Sequence, residues 1–458
     1  MSTNTDTDYD LIVIGAGVGG FDAAKHATHR GLKTALVECR DMGGTCINRG
    51  CIPSKALLAA AGTLRKIQHT EIFGISVEGI HYDRAKVAAH AMGVVEKIRT
   101  DMTKTTEKMG ITVLRGKAKL LEPQKVQIKT DSGIQTITAK DIILATGSEP
   151  FVPPGIEIDH HTVYTSDEGV RLEQVPPRIV IIGSGYIGLE FSDIYSTLGA
   201  QVTMIEALDQ LFPGFDPDIG RMAERILIKP RDIRTMKGVL AKKITPGQPV
   251  RIELSTGETL ETDAVLVATG RRPNSQNLGL EELGLETERG FIPVDNRMAT
   301  AIPHLWAIGD VTGKMMLAHT ASAQGVVAVE NILGHERSMD YRSIPAAAFT
   351  HPEIGFVGLT EPQAKAEGYK VGIVRTYFGG NSKAIAQGET DGICKLVYDQ
   401  ESGELLGAHI LGPEASLIVQ ECSAAIAKRD KIESLARLVH THPTLSEVLD
   451  EAYKRAAG

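Results

Sequence analysis

The sequence predicts an α/β protein with two doubly wound dinucleotide-binding domains and an α+β C-terminal domain. Three observations carry this. Two segments follow one plan: LIVIGAGVGG from Leu11 to Gly20 and IVIIGSGYIG from Ile179 to Gly188. Each is an unbroken apolar run, as a parallel strand buried on both faces requires, leading straight into a glycine loop and a helical pattern. Each copy ends on an apolar strand with the same letters, IILATGS at Ile142–Ser148 and VLVATGR at Val265–Arg271. After about Ala346 the pattern changes, and ICKLVYDQESGELLGAHIL reads as a hairpin followed by helices.

The expected division is 1–150 for the first nucleotide-binding domain and 151–273 for the second. Residues 274–345 return to the first, and 346–458 form the C-terminal domain. The first copy carries a long insertion with helical spacing through Lys55–Ile67 and near Val87–Met109. Glu149–Pro177, rich in Pro, Asp and His, reads as a crossing between domains. LWAIGDV at Leu305–Val311 reads as a strand and turn of the first domain.

Composition narrows the function. A chain of 458 residues with 42% hydrophobic and 23% charged residues is an ordinary globular protein. Its net charge of -8 argues against a general nucleic-acid binder. No apolar stretch approaches the roughly 18 residues of a membrane span. The polar opening MSTNTDTDYD is unlike a signal or transit peptide. Five cysteines in so long a chain form no disulfide framework, so a cytoplasmic protein is expected.

Gly15, Gly17 and Gly20 form GxGxxG at a strand-to-helix turn, and Gly183, Gly185 and Gly188 repeat it. Such glycines let backbone approach a pyrophosphate, while the helix N-terminus supplies amide donors. An acidic residue, Glu38 or Glu206, follows 23 positions after each first glycine, where a carboxylate can accept from a ribose diol. The bland alternative is two structural turns beside surface glutamates. Taken with their strands, the loops call for two dinucleotides.

GGTCINRGCIPSK places Cys46 and Cys51 five apart, with Gly44 and Gly50 beside them and Pro53 where a helix can begin. Closing so small a loop stabilises by only about 2 kcal/mol, which makes structural stapling a poor explanation. Zinc lacks its further ligands, since only Cys39 is near. A helix N-terminus lowers a thiol pKa, as an exchanging dithiol needs, so the pair reads as redox-active. Cys39, Cys394 and Cys422 read as inert. Near the C-terminus, His442 precedes Pro443 and lies five residues before Glu447, a spacing for a carboxylate-oriented base. Thr444 and Glu447 equally spell a capping box for the last helix.

The cysteine motif, both GxGxxG units, the ATG strands, WAIGD and HTHPTLSE (His440–Glu447) together resemble the pyridine nucleotide-disulfide oxidoreductase family, within it the dihydrolipoyl dehydrogenases of plastid and cyanobacterial type. The resemblance spans the whole chain. It implies FAD on the first copy, with Gly15, Gly17, Gly20, Glu38, Gly44, Thr45, Lys55, Ala118, Thr146, Gly147, Ser148, Asp310, Met316, Leu317, Ala318 and His319 around it. It implies NAD on Gly183, Gly185, Tyr186, Ile187, Gly188 and Glu190, with Glu206, Val239 and Gly270. Lys55 is implied to pair with Glu190 near the flavin and Asp310 to hold the ribitol. On the residues alone these are an ordinary ion pair and the start of a turn.

The resemblance makes Cys46 the exchanging thiol, Cys51 the flavin-side thiolate, His442 the base and Glu447 its partner. The implied reaction oxidises protein-bound dihydrolipoamide and reduces NAD+ in a homodimer. The implied partners are a lipoylated acyltransferase of a 2-oxo acid dehydrogenase complex or the lipoylated carrier of the glycine cleavage system. Two residues depart from many relatives: Arg49 beside the dithiol, and Tyr186 in the second glycine loop, as in glutathione reductases. The rival readings are a glutathione or mercuric reductase and a non-catalytic redox-sensing flavoprotein. EAYKRAAG ends the chain without the cysteine pair of a mercuric reductase.

Overall fold

The structure is a computed structural model that describes residues 7–458, so most of the polar opening segment lies outside the described residues. The chain folds as two compact units, one of residues 7–54, 89–151 and 271–339, the other of 55–88, 152–270 and 340–458.

In the first unit, strands Thr112–Arg115, Thr34–Glu38, Tyr9–Ile14 and Gly133–Leu144 lie side by side in that order. Strand Leu305–Ala307 adds in parallel to the far side of Gly133–Leu144, so the LWAIGDV segment joins this sheet. The central residues Leu11, Ile12 and Val13 are fully buried, which explains why the strand is apolar throughout. The first half of Gly133–Leu144 also pairs antiparallel with Lys125–Thr130, which pairs with Lys117–Glu122. Helix Val18–His29 packs against helix Ala318–Ile332 so closely that a Cβ on Gly19 would stand 2.8 Å from the Ala321 methyl.

The second unit repeats the plan. A five-stranded parallel sheet has the order Arg234–Lys237, Gln201–Glu206, Arg178–Ile182, Ala264–Val267, Val163–Thr165. The stretch expected to be only a crossing therefore supplies this last strand. Its residues Val163, Tyr164 and Thr165 are β-branched or aromatic and all buried, as a strand against a core demands. A three-stranded antiparallel sheet, Ala241–Thr245, Val250–Leu254 and Thr259–Thr262, packs into the same core.

The C-terminal sheet of this unit is antiparallel, in the order Ala346–Ala348, Glu353–Gly358, Leu405–Gly412, Ile393–Asp399, Val371–Tyr377. Its hairpin pairs Ile393–Asp399 with Leu405–Gly412, as expected. Every residue of Leu405–Gly412 is buried, because helices Ala415–Lys428 and Glu447–Ala457 share its core.

One buried cation ties the C-terminal sheet to the start of helix Pro217–Ala223. Lys395, 1% exposed, donates to Asp216 at 2.9 and 3.0 Å and to Glu361 at 3.0 Å, and lies 2.7 Å from Asp218. Burial alone would raise the Asp218 carboxyl, but Lys395 and Arg375 outweigh it and hold it down to about 2. Asp216 also caps helix Pro217–Ala223 through the amide of Asp218. Removing one partner of a buried pair strands the other, at about 3 kcal/mol or more. Lys395→Met is therefore expected to lower the unfolding free energy by about 3 kcal/mol in urea at neutral pH. Because the Asp218 pKa is depressed on folding, its contribution is complete above its ordinary range near 4. It disappears as pH falls through about 2, so the gap between wild type and variant should narrow in acid. An unchanged urea midpoint would contradict this role for Lys395.

Candidate active site

The two glycine loops are near copies in atomic detail. At the end of each first strand a main-chain amide bonds to the neighbouring strand, Gly15 to the Val37 carbonyl and Gly183 to that of Ile205, both at 2.8 Å. The third glycine packs against the first: a Cβ on Gly20 would stand 1.9 Å from the Gly15 oxygen, and one on Gly188 2.1 Å from that of Gly183. The middle glycines face open space instead. A Cβ on Gly185 meets nothing within 4 Å, and one on Gly17 meets only the Gly44 Cα at 3.9 Å. Both act as N-caps, of helices Val18–His29 and Tyr186–Thr197, without a side-chain cap. Their free helical amides and the room before them fit a pyrophosphate.

The two acidic residues brace these loops. Glu38 accepts from the amides of Ala16 at 2.7 Å and Arg40 at 2.6 Å. Glu206 accepts from the amide and hydroxyl of Ser184 at 2.9 and 2.6 Å and from the Leu208 amide at 3.0 Å. A carboxylate offers about four lone pairs, so each retains acceptor capacity for a ribose hydroxyl. Val239, buried, donates its amide to the Glu206 carbonyl. Glu38 lies beside Arg115, and its carbonyl accepts from Gly116, two residues before Ala118 on the next strand.

The remaining expected contacts of the first unit gather around its strand ends. Asn274 bonds to Thr146 and Gly147, while Gly147 takes a left-handed φ of 70°. Asp310 accepts from the Ser148 hydroxyl and lies 3.8 Å from Arg271. Arg271 donates to the Ser148 hydroxyl and carbonyl at 2.7 and 2.8 Å. In the sequence Arg271 carries no signal beyond its place after the second ATG. Leu317 caps helix Ala318–Ile332, so Ala318 and His319 open it and half-exposed Met316 precedes it.

Cys46 lies on the short helix Gly44–Arg49, and Cys51 opens helix Cys51–Gln68. Both are half-buried. The segment is bonded to the first glycine loop: the Gly43 amide donates to the Ala16 carbonyl at 2.8 Å. A Cβ on Gly44 would stand 2.7 Å from the Gly17 Cα. Asn48 ties the turn closed by donating to the carbonyls of Met42 and Gly44, both at 2.8 Å. A Cβ on Gly50 would press on Thr45 and Cys46 at 3.0 and 3.3 Å, so a larger residue there would push the cysteine turn apart. The helix runs two residues further back than Pro53, with Cys51 in its first turn, the position that favours a thiolate. The thiols of Cys394 and Cys422 are fully buried and raised by burial, the second to about 12, which makes them unreactive.

In the second unit, Lys55 donates to both oxygens of Glu190 at 2.8 and 2.9 Å and sits 4.5 Å over the Phe349 ring. Glu190 also accepts from the Phe349 amide at 3.0 Å. Tyr186 and Ile187 follow the second glycine loop. The Tyr186 ring packs on Phe215 at 5.2 Å and Phe356 at 6.1 Å, and burial pushes its phenol up. Gly270 has open space around its Cβ position.

His442 Nδ1 lies 2.9 Å from Glu447, whose other oxygen accepts from the Thr444 amide at 2.8 Å. Those two contacts, the amide first, hold the Glu447 carboxyl below its usual range. Half of the capping box is thus present. The Thr444 hydroxyl instead donates to the Thr441 carbonyl, and Ser446 stands at the N-cap position of helix Glu447–Ala457 without a side-chain cap. The imidazole is largely exposed, with Nε2 directed away from Glu447's contact.

These features define a dinucleotide-dependent oxidoreductase with a dithiol, and the chain belongs to the pyridine nucleotide-disulphide oxidoreductases. The family model of that description matches residues 9–325, and the model of the family's dimerisation domain matches residues 344–453. The chain is 58% identical to the dihydrolipoyl dehydrogenase of Synechocystis sp., covering 98% of this chain and 99% of the relative. It is 52% identical to the chloroplastic dihydrolipoyl dehydrogenase 2 of Arabidopsis thaliana, over 98% and 82% of the two. Among solved structures it resembles LpdA of Mycobacterium tuberculosis, with a TM-score of 0.92 at 26% identity over 97% and 99% of the chains. It also resembles the HOCl-induced flavoprotein disulfide reductase RclA of Escherichia coli, with 0.87 at 28% over 97% and 99%. The family binds FAD and NAD, and the open glycine loops fit both.

The different surroundings of the glycines separate two effects. Gly185→Ala has room and allowed dihedrals, so it is expected to melt within a degree or two of wild type while binding NAD at least about tenfold more weakly. Gly188→Ala collides with main chain and is expected to lose about 2 kcal/mol of stability or more. Calorimetric titration with thermal melting checks both, and equal behaviour of the two variants would contradict the assignment.

Proposed function

We propose that this chain oxidises the dihydrolipoyl group of a lipoylated carrier and reduces NAD+, through Cys46 and Cys51. The observation that carries this is the main-chain bond between Gly43 and Ala16, which seats the dithiol segment on the first nucleotide loop. The 58% identity to a dihydrolipoyl dehydrogenase supports the lipoyl substrate. FAD, held by the first glycine loop and Glu38, would supply a two-electron acceptor between the dithiol and the nicotinamide.

The residues move protons and sulfur bonds. His442 takes a proton from one substrate thiol, and the thiolate attacks Cys46 of the Cys46–Cys51 disulfide, releasing Cys51 as thiolate. The second substrate thiol then displaces Cys46, so the lipoyl disulfide leaves and both enzyme sulfurs are reduced. Two electrons and one proton end on NAD+ as NADH, and the other proton goes to water. Glu447 keeps the imidazole oriented, and Lys55, held by Glu190, would supply a fixed cation to the flavin.

In this reading the enzyme is a homodimer, and each dithiol works with His442 of the partner subunit. The matched dimerisation domain supports this, as do the exposed apolar Leu417, Leu438 and Val439, the last 96% exposed. The carrier is a lipoylated acyltransferase of a 2-oxo acid dehydrogenase complex or that of the glycine cleavage system, met in a reducing, cytoplasm-like compartment. Among the described residues no helix is long and apolar enough to cross a membrane.

Cys46→Ser is expected to abolish dihydrolipoamide turnover yet keep a long-wavelength thiolate-to-flavin absorbance, because Cys51 survives. Retention of that band by Cys51→Ser and its loss in Cys46→Ser would reverse the two roles. Glutathione disulfide reduction exceeding dihydrolipoamide oxidation would overturn the substrate. Glu206 repels a 2′-phosphate, and residues 207–214 hold no Arg or Lys to receive one. Catalytic efficiency should therefore favour NAD over NADP by about a hundredfold or more, and comparable values would contradict the pocket.

A further inference from the structure

Arg84 opens helix Arg84–Lys108 and is 6% exposed. None of its three guanidinium nitrogens reaches water, and none has a hydrogen-bond partner among the described residues. The titratable groups close enough to act on it are the phenols of Tyr195, Tyr164 and Tyr82, with no carboxylate among them. The nearest acid in sequence, Asp83, accepts from the Lys86 amide at 3.2 Å. Buried Lys395 is matched by Asp216, Asp218 and Glu361, and the partly buried Arg65 and Arg231 by Asp193.

A guanidinium holds its proton and offers five N–H donors, so its burial without an acceptor is costly. Each phenol can donate or accept, yet none is bonded to the guanidinium. Tyr164 and Tyr195 are at most 1% exposed, with hydroxyls 3.2 Å apart. One gives its proton to the other, which leaves the second proton free to bond elsewhere. Tyr82 spends its proton on the Leu198 carbonyl at 2.5 Å. Arg84 therefore presents its donors and a positive charge with no acceptor bonded to it and no carboxylate counter-charge among the described residues.

We propose that Arg84, with the hydroxyl pair of Tyr164 and Tyr195, forms an internal site for a small monovalent inorganic anion. Water satisfies donors but leaves the charge unbalanced. A large organic anion does not fit nitrogens closed off from solvent. The anion would tie the start of helix Arg84–Lys108 to strand Val163–Thr165 and helix Tyr186–Thr197, which carry the two tyrosines. Its binding would stabilise the folded chain by mass action.

The test is thermal melting of the FAD-loaded protein at constant sodium and ionic strength, with gluconate replaced stepwise by chloride or by nitrate. Wild type is expected to gain several degrees along a curve that saturates. Arg84→Met should show no saturable gain, and Tyr195→Phe should need about tenfold more anion for half the effect. A saturable gain of the same size in Arg84→Met would overturn the site, as would a wild type indifferent to the exchange. Should Arg84→Met fail to fold, crystals of wild type soaked in bromide decide the matter. An anomalous peak within bonding distance of the guanidinium supports the site, and water alone there overturns it.

Discussion

The Gly43 amide donates to the Ala16 carbonyl at 2.8 Å, and Gly44 lies so close to the Gly17 main chain that it has no room for a side chain. This contact sets what the first nucleotide loop must be. Its amides have to face a pyrophosphate on one side while its main chain accepts the cysteine segment on the other. The two stretches of backbone approach this closely because Gly44, in a left-handed conformation, carries no Cβ to meet the Gly17 main chain. Asn48 then closes the turn, and Cys46 and Cys51 follow on consecutive helices whose geometry is set from that anchor.

The second loop shows what the same fold does without that burden. Strand end, buried third glycine, open middle glycine and bracing glutamate recur almost atom for atom. No cysteine segment leans on it. Its helix carries Tyr186, packed among Phe215 and Phe356, and Glu190, held by Lys55 and the Phe349 amide. The aromatic cluster depends in turn on Lys395, since Phe215 precedes Asp216 and Phe356 lies on the strand beside that of His409. A buried ion cluster with four members is worth little as net stability, but it is unforgiving of a missing member, which makes it a positional lock.

Much of this was legible in the sequence because it is local. Apolar runs ending in GxGxxG, the glutamates 23 residues on, the cysteine spacing and the hairpin at Ile393–Gly412 depend on short stretches with strict steric demands. What escaped was long-range. Arg271 meets Ser148 from 123 residues away and Lys395 meets Asp216 from 179, and no local pattern marks an ordinary Arg or Lys for such a role. Strand Val163–Thr165 was hidden by the Pro, Asp and His around its three residues. The Thr444 and Glu447 spelling was ambiguous for a physical reason: one carboxylate serves both the His442 ring and the Thr444 amide.

In the proposed mechanism dithiol and base act together although some 390 residues lie between them, with the base supplied by the second subunit. Subunit exchange tests this directly. Cys51→Ser and His442→Ala proteins, each inactive with dihydrolipoamide and NAD+, are dissociated together and reassembled. The mixed dimer then holds one intact site, with Cys51 from the His442→Ala chain and His442 from the other. Activity is expected to return to about a quarter of wild type, since random pairing makes half the dimers mixed and each has one working site of two. No recovery, with exchange demonstrated by mass, would mean that each site is built within one chain.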